Sequence, residues 1–267
     1  MPPASSAAQP SRAAHLRHHR MGVGLAVAAG LVVALLVGTA WVGGWIPHAG
    51  SAGGLSQNLV SQPGGWQGES PRNAVWASGG LPVVFYEGSV ACPYCGASNW
   101  PFLLALEQFG TLSGITYGYS NSNDVYPATP EVSLGTATYQ STYLSLDVKE
   151  GNVNTSTSQG MPSLSATESS YVNAYDQQGA IPLYFAGGMY FHLGSVFDPA
   201  VLSGLSDSQV QAILANASLN PSVYNAIHAE ELYYEAYFVV SDQVAGITPP
   251  SSVTSQSAVM TIVDQIH

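Results

Sequence analysis

Two cysteines stand three positions apart in this chain, and they are the only cysteines among its 267 residues. Cys92 and Cys95 enclose Pro93 and Tyr94, and they follow a strand-like apolar run over residues 81–86. A helix beginning beside Cys92 places its sulfur at a helix N-terminus, where unpaired backbone N–H groups and the helix dipole stabilise a thiolate. Cys92 is therefore the candidate nucleophile, and Cys95, one turn further on, is the candidate resolving thiol.

A permanent structural disulfide is the first alternative for this pair, because exported cysteines usually form bridges. A bridge across three residues closes a very short loop, however, and on the chain-entropy account short loops stabilise a fold least. Solvent access distinguishes the two hypotheses, since a catalytic Cys92 has to be exposed at the helix start and a structural pair can be buried.

Metal binding is the second alternative. Structural zinc needs four ligands, and no second cysteine or histidine pair has the required spacing. His228, Glu231 and Glu235 have helical spacing and are interpreted as a solvated polar face. Two thiolates suit a soft Cu(I) ion, for which Met189 or Met161 is a possible further ligand. The leading hypothesis includes no metal and no cofactor.

The N-terminal region predicts a membrane anchor. Residues 1–20 contain three arginines and no acidic residue, and residues 21–46 contain no charge, where about 20 apolar residues suffice to cross a bilayer. Basic residues before the span orient residues 1–20 toward the cytoplasm, with Trp41 and Trp45 at the outer interface. A cleaved signal is the alternative, although its apolar region is usually about 7–15 residues long. Either way, the chain beyond this segment is exported.

All 16 acidic residues follow the apolar segment, against two basic ones, Arg72 and Lys149. This charge excludes nucleic-acid binding. Charged residues are nevertheless only 8 % of the chain, so neutral polar groups provide its solubility. The composition suits an acidic exterior in which carboxylates are largely protonated near pH 4; an ordinary acidic secreted protein is the alternative.

The exported part is predicted to have an α/β fold, a small mixed sheet flanked by helices with extra helices at the C-terminus. Residues 47–65 are interpreted as a flexible spacer and 66–267 as one domain. The predicted strands are 81–86, 115–119 and 139–148, a hairpin spans 181–191 around Gly187-Gly188, and the predicted helices are 93–109, 167–177, 207–215, 221–239 and 251–266. Residues 121–130 and 149–159 are interpreted as loops.

With these elements the chain resembles the thioredoxin superfamily over about residues 81–215. The resemblance rests on Phe85-Tyr86 leading into Cys92-Pro93-Tyr94-Cys95, on Ile181-Pro182 and on the hairpin that follows. A Pro-Tyr dipeptide is typical of glutaredoxins, and an exported Cys-Pro-x-Cys motif is typical of DsbA-type oxidoreductases. The whole plan is similar to a domain-of-unknown-function family of prokaryotic membrane proteins associated with archaeal and acidophilic sources.

The resemblance implies roles for the residues around the pair. Cys92 is the nucleophile, Cys95 resolves the mixed disulfide, and Pro182 is a cis-proline facing them, with Pro162 as the alternative. The backbone of Ile181, together with Pro93 and Tyr94, would bind the substrate. The family's buried acid in the preceding strand is absent; Glu87 is the nearest carboxylate and is interpreted as marking the strand end. Ala91 also replaces the usual tryptophan.

The sequence as a whole predicts a membrane-anchored, extracytoplasmic thiol–disulfide oxidoreductase. Its expected partners are the thiols or disulfides of exported proteins and a second redox protein. The alternatives are a non-catalytic binding or structural module with a locked disulfide, and a Cu(I) chaperone.

Overall fold

The structure is a computed structural model that describes residues 59–69, 75–152 and 160–267. All of the described residues belong to one compact unit, which begins after Gly53. The expected cytoplasmic tail 1–20 and membrane span 21–46 lie outside the described residues. Within the described ranges, no helix combines the length and apolarity needed to cross a membrane.

Seven of the eleven strands in the described residues form one mixed sheet. The strands are β1 (Leu59–Ser61), β2 (Gln67–Glu69), β3 (Ala77–Ser78), β4 (Leu81–Ser89), β5 (Gly110–Ser113), β6 (Thr116–Tyr119), β7 (Pro130–Ser133), β8 (Thr138–Ser141), β9 (Ser145–Gly151), β10 (Leu183–Ala186) and β11 (Tyr190–Leu193). The central sheet has the order β1-β2-β11-β10-β4-β3, and β9 pairs in parallel with β4. Parallel neighbours require a crossover connection, which here includes the helix after β4.

Six α-helices flank this sheet within the described part of the chain. They are α1 (Pro93–Phe109), α2 (Ala166–Tyr175), α3 (Asp207–Ala215), α4 (Pro221–Val244), α5 (Ser251–Thr254) and α6 (Ser257–Val263). Helix α1 is apolar on nearly all sides and almost entirely buried, as expected for a helix enclosed by its neighbours. Helices α1 and α4 contribute to the large hydrophobic core, whereas α2 covers a smaller cluster built on the other face. The α/β class with a mixed sheet and flanking helices agrees with the prediction.

An insertion between α1 and β9 carries four short strands outside the central sheet. Strand β5 pairs with β8, and β6 pairs with β7, both antiparallel. Strand β7 is held against α1, where the Trp100 indole N–H donates to the Pro130 carbonyl at 2.9 Å. The insertion therefore lies beside the helix that begins at the cysteine pair.

Local sequence signals set several of the helix starts. Ser165 and Glu168 form a capping box at α2, and Ser206 and Gln209 form another at α3. Asn220 caps α4 through the Val223 N–H. The predicted helix 93–109 has the observed bounds of α1, and the predicted hairpin is present as β10 and β11.

Several predicted boundaries differ from the structure, among them the helix predicted over 251–266, which is two helices, α5 and α6. The single strand predicted over 139–148 is two strands, because the Ser141 hydroxyl accepts hydrogen bonds from the N–H groups of Tyr143 and Leu144 and turns the chain between β8 and β9. Strand β9 continues through Gly151 into the predicted loop 149–159. The predicted spacer 47–65 contains β1, which pairs with β2, so the folded part includes residues before 66.

Candidate functional site

Cys92 is the N-cap residue of α1, immediately after the turn that follows β4. Its Sγ accepts a hydrogen bond from the Cys95 backbone N–H, with an N–S distance of 3.4 Å. The pKa of the Cys92 thiol lies below its ordinary value, first because the Cys95 side chain hydrogen-bonds to it and also because the backbone N–H groups of Cys95 and Tyr94 do so. Cys92 is therefore the more acidic thiol of the pair.

Cys95 has the opposite environment. Both thiols are free, but Cys95 lies one turn inside α1. Its Sγ accepts a hydrogen bond from the Ser89 N–H, with an N–S distance of 3.5 Å. Burial raises the pKa of Cys95 well above its ordinary value, and the hydrogen bond to Cys92 raises it further. The pair thus combines a thiol that ionises readily with one that keeps its proton.

The exposure of Cys92 differs from the expectation for a catalyst. Cys92 is only 2 % exposed and Cys95 is 1 % exposed. Tyr94 is half-buried, and its ring lies edge-on to that of Tyr126 at 5.6 Å. Pro93, at the first position of α1, is buried. The residue with most solvent access in the motif is therefore Tyr94.

Pro182 precedes β10 at the end of the sheet where β4 ends. The pairing of Leu183 with Glu87 brings Pro182 alongside the last residues of β4, close in the fold to the start of α1. The Ile181–Pro182 peptide bond is cis, and it is the only cis bond within the described ranges. Pro162, the alternative for this role, follows a trans bond. Ile181 is half-buried and Pro182 is buried.

A polar network that the sequence analysis did not identify lies beneath the pair. The Tyr86 hydroxyl hydrogen-bonds to Cys95 and donates to Glu150 Oε1 at 3.2 Å. Asn99 Nδ2 donates to the Tyr86 hydroxyl at 3.0 Å, while Asn99 Oδ1 accepts from the Tyr184 hydroxyl at 2.9 Å. The other oxygen of Glu150 accepts from Ser133 Oγ and from the backbone N–H groups of residues 134 and 135. A hydrogen-bonded path therefore joins Cys95 to a carboxyl.

Glu131 on β7 is a second carboxyl that the sequence analysis missed. It is 4 % exposed, and no group in the described residues hydrogen-bonds to its carboxyl. Its side chain fits between two glycines, because a Cβ on Gly96 would lie 3.5 Å from Oε2 and one on Gly118 would lie 3.9 Å from Oε1. Burial, and then the charges of Glu150 and Cys92, raise the pKa of Glu131 to about 9. Glu131 is therefore a neutral carboxylic acid beside the pair at neutral pH.

Glu87, the carboxylate nearest to the pair in sequence, belongs to a different environment. Burial raises its pKa to about 7, and the neighbouring charges that contribute are Asp176 and Glu168, at the two ends of α2. Strand alternation directs Glu87 and Tyr86 to opposite faces of the sheet. Glu87 does not mark the strand end as predicted, because β4 continues two residues beyond it, to Ser89.

The residues considered for metal binding lie at separate places in the fold. Among the described residues, no group of three or more His, Cys, Asp or Glu side chains could hold a metal ion. His228 Nδ1 and Glu231 Oε2 are 2.8 Å apart on α4, and the prediction of a solvated polar face is wrong, because Glu231 and Glu235 are buried. Met189 follows the Gly187–Gly188 turn, at the end of β10 opposite Pro182, whereas Met161 contacts Gly151 at the end of β9.

An open cavity of about 530 Å³ adjoins the turn before Cys92. Its lining includes Val90 and Ala91 from that turn, Tyr117 and Tyr119 from β6, and the buried Glu131. Tyr117 is 40 % exposed and Tyr119 is 49 % exposed. A molecule bound in this cavity would lie beside the residue that precedes the nucleophile.

Comparison with known proteins identifies the family but not an activity. The chain belongs to the family described as Domain of unknown function (DUF929), whose model matches residues 71–234. The matched segment includes the cysteine pair, the insertion and the hairpin. No curated protein and no solved structure matches the chain.

Proposed function

We propose that this protein is a membrane-anchored thiol–disulfide oxidoreductase that acts on exported proteins through a mixed disulfide at Cys92. The observation that carries the proposal is the asymmetry of the pair: Cys92 caps a helix N-terminus and has the lowered thiol pKa, whereas Cys95 is buried and has the raised one. A nucleophilic thiolate beside a protonated resolving thiol is the arrangement that disulfide exchange requires.

The order of elements supports a thioredoxin-like arrangement. Strand β4 leads into α1 with the pair at its start, β9 returns parallel to β4, and β10 and β11 follow antiparallel. The four-stranded insertion between α1 and β9, and helices α5 and α6, are additions to that plan. The uncharged segment 21–46 with its preceding basic residues supports the anchored, extracytoplasmic location.

The exchange consists of two displacements. The Cys92 thiolate attacks one sulfur of a client disulfide, a Cys92–client bond forms, and the other client sulfur leaves as a thiolate. The Cys95 thiol then loses its proton and attacks the Cys92 sulfur; the Cys92–Cys95 bond forms and the second client sulfur leaves. Two electrons pass to the client, whose two thiolates take up two protons. In the reverse sequence the Cys92–Cys95 disulfide oxidises a client dithiol, and a second dithiol or disulfide protein restores the pair.

Proton transfer from Cys95 is assigned to the polar network. Its thiol is buried and hydrogen-bonds to the Tyr86 hydroxyl, which in turn donates to Glu150 Oε1. A proton leaving Cys95 can therefore reach a carboxyl without exposure of the sulfur to water. In this role Tyr86 and Glu150 act when the mixed disulfide is resolved and not in the first attack.

A redox titration of the full-length protein in glutathione or dithiothreitol buffers tests the proposal. We expect a reversible two-electron midpoint between about −120 and −270 mV, as in working oxidoreductases. The Cys92→Ser and Cys95→Ser variants are the controls and should show no such transition. A midpoint well below about −300 mV would contradict the proposal and indicate a structural bridge.

The burial of both thiols favours a second candidate, a non-catalytic module with a locked disulfide. Cys92 and Cys95 are each at most 2 % exposed, which a structural pair tolerates. The same titration separates the candidates, because a locked pair would have the low midpoint and would react only after unfolding.

A further inference from the structure

Strand β6 has an unpaired edge next to the cysteine pair. Within the described residues it pairs only with β7. The Ser120 N–H donates to the Thr129 carbonyl at 2.9 Å. In an antiparallel pair every second residue hydrogen-bonds to the partner strand, so residues 118 and 116 bond to β7. The N–H and C=O groups of Tyr117 and Tyr119 therefore point away from β7. These outward groups bond to no other described backbone group.

The same edge leads to the nucleophile. The N–H of Asn121, the next outward residue, donates to the Ala91 carbonyl at 3.1 Å. A strand placed against β6 would therefore run along the cavity toward Ala91 and end beside Cys92. Cavities of roughly 300–1,000 Å³ are typical of ligand sites, and this one is about 530 Å³.

Glu131 independently indicates a polar ligand in this cavity. Its carboxyl lines the cavity, the residue is 96 % buried, and no described group hydrogen-bonds to it. A protonated carboxyl both donates and accepts hydrogen bonds, which matches the N–H and C=O of a peptide group. A bound backbone amide would supply hydrogen bonds to Glu131 that no described group supplies, in place of the solvent that enters the cavity.

The charges around this edge select against a second copy of the chain and favour a cationic segment. Asp207 accepts a hydrogen bond from the Tyr119 hydroxyl at 3.4 Å, and the charges of Asp124 and Asp198 act on Tyr94. The one described lysine, Lys149, is paired with Asp147 and Glu168. The chain has a net charge of −11, so two copies repel each other.

We propose that the β6 edge and the adjoining cavity bind an extended, cationic segment of the client, next to its cysteine, as a third strand on β6 and β7. Main-chain hydrogen bonds to Tyr117 and Tyr119 would hold the segment, and Glu131 would bond to one of its peptide groups. This inference rests on the proposed function, since it assigns the substrate class of the same cysteine pair.

The test uses the full-length Cys95→Ser variant, in which a mixed disulfide at Cys92 cannot resolve. Four disulfide probes are compared. One is glutathione disulfide, and the other three are peptides that carry a cysteine in a mixed disulfide. The first peptide has lysine neighbours, the second has glutamate neighbours, and the third is the lysine peptide N-methylated at alternate amides. We expect the lysine peptide to trap roughly 10-fold faster than the glutamate peptide, an advantage that falls with added salt. N-methylation should slow it roughly 10-fold, because it removes two or more strand hydrogen bonds.

Variants of Glu131 test the cavity itself. In the Cys95→Ser background, Glu131→Leu should reduce the difference between the plain and N-methylated lysine peptides by the share of the one peptide group that Glu131 binds, and Glu131→Gln should retain the full difference. Dividing each rate by that for glutathione disulfide corrects for changes in Cys92 itself. A correctly folded Glu131→Leu variant that keeps the full difference would overturn the assignment of Glu131.

The two proposals fail differently. If Cys92 reacts with glutathione disulfide but all three peptides trap equally fast, the β6 edge is not the client site and the oxidoreductase proposal stands. If Cys92 reacts with no probe, the proposed function itself fails. A dimer in sedimentation that the Tyr119→Pro variant abolishes would show that a second copy occupies the edge and would also overturn the inference.

Discussion

The two faces of the central sheet are built by the same strands but differ in kind. On β4 and β10, Tyr86 and Tyr184 point toward α1 and α4, and Phe85 and Phe185 point toward α2. The two tyrosine rings are stacked with their centroids 5.1 Å apart, and both hydroxyls form hydrogen bonds with the Asn99 side chain. The centroids of the two phenylalanine rings are 5.9 Å apart, and these rings carry no hydroxyl that could extend a hydrogen-bond network.

This difference shows that one sheet can place hydrogen-bonding side chains on one face and an apolar cluster on the other. Strand alternation places every second residue on each face, so polar aromatic residues can be collected on the face beside the cysteines. There the Tyr86 hydroxyl interacts with Cys95 and Glu150, and the Tyr184 hydroxyl donates to Asn99. On the other face, Phe85 and Phe185 belong to an apolar cluster under α2, so substitutions of these two pairs of residues should affect different measurements.

The largest expected effect on stability comes from the phenylalanine face. Phe185 is 1 % exposed and packs against Phe85, Trp76 and Phe191. Phe185→Ala should lower the free energy of unfolding by about 3–5 kcal/mol, because it leaves a cavity in the core. Denaturant titration measures the loss, and Phe185→Leu, which fills more of the space, is the matched control. A large change in Cys92 alkylation by this variant in its folded state would contradict the separation of the two faces.

The tyrosine face should show the opposite pattern. Tyr86→Phe keeps the ring but removes the hydroxyl that joins Cys95 to Glu150. Because this hydroxyl is assigned to proton transfer, resolution of the mixed disulfide should slow by roughly 100-fold, while the first attack by Cys92 is little changed. Stopped-flow measurement of the two steps checks this, with Phe85→Leu as a control on the other face. Equal slowing of both steps would indicate a general distortion of the site.

A separate effect concerns pH and the Asp242 carboxyl of α4. Asp242 is fully buried, neither carboxyl oxygen has a hydrogen-bond partner among the described residues, and burial raises its pKa from 3.8 to about 8. Because the pKa of Asp242 is higher in the folded chain than in the unfolded chain, its contribution to the free energy of unfolding is fully present below pH 4. This contribution is lost as pH rises through 8. The protein should therefore be more stable at pH 4 than at pH 8, which fits the hypothesis of an acidic exterior.

The Asp242→Asn variant measures this contribution. One such group changes stability by at most about 1.4 kcal/mol per pH unit across this range. Thermal unfolding from pH 4 to pH 8 should give a shallower decline for Asp242→Asn than for the unaltered chain. An Asp264→Asn variant, altered at an exposed position, is the control and should keep the steeper decline. Parallel curves for the unaltered chain and Asp242→Asn would show that Asp242 does not titrate in this range.

The parts of the fold that the sequence predicts are those governed by local signals. Helix α1 follows from an apolar run with Pro93 at its start, and the β10–β11 hairpin follows from two apolar strands around Gly187 and Gly188. Cys92 and Cys95 stand out by their spacing. These features depend on residues within a few positions of one another.

The remainder of the site depends on contacts between distant residues. Asn99 and Tyr184 are 85 positions apart, and Glu131 reaches the pair from β7, a four-residue strand that begins at a proline and has no clear strand pattern. The strand before the pair does not supply the carboxyls near the cysteines, which belong to β7 and β9 instead. Only the pairing of strands shows this.

The most direct test of the central claim is alkylation of the two cysteines in the full-length reduced protein as a function of pH. We expect iodoacetamide to modify Cys92 alone in the folded protein, with an apparent pKa below that of a free thiol near 8.5, and Cys95 to react only after unfolding. Mass spectrometry of the peptide containing both residues assigns the site. Modification of Cys95 first, or of neither cysteine before unfolding, would contradict the assignment of Cys92 as the nucleophile.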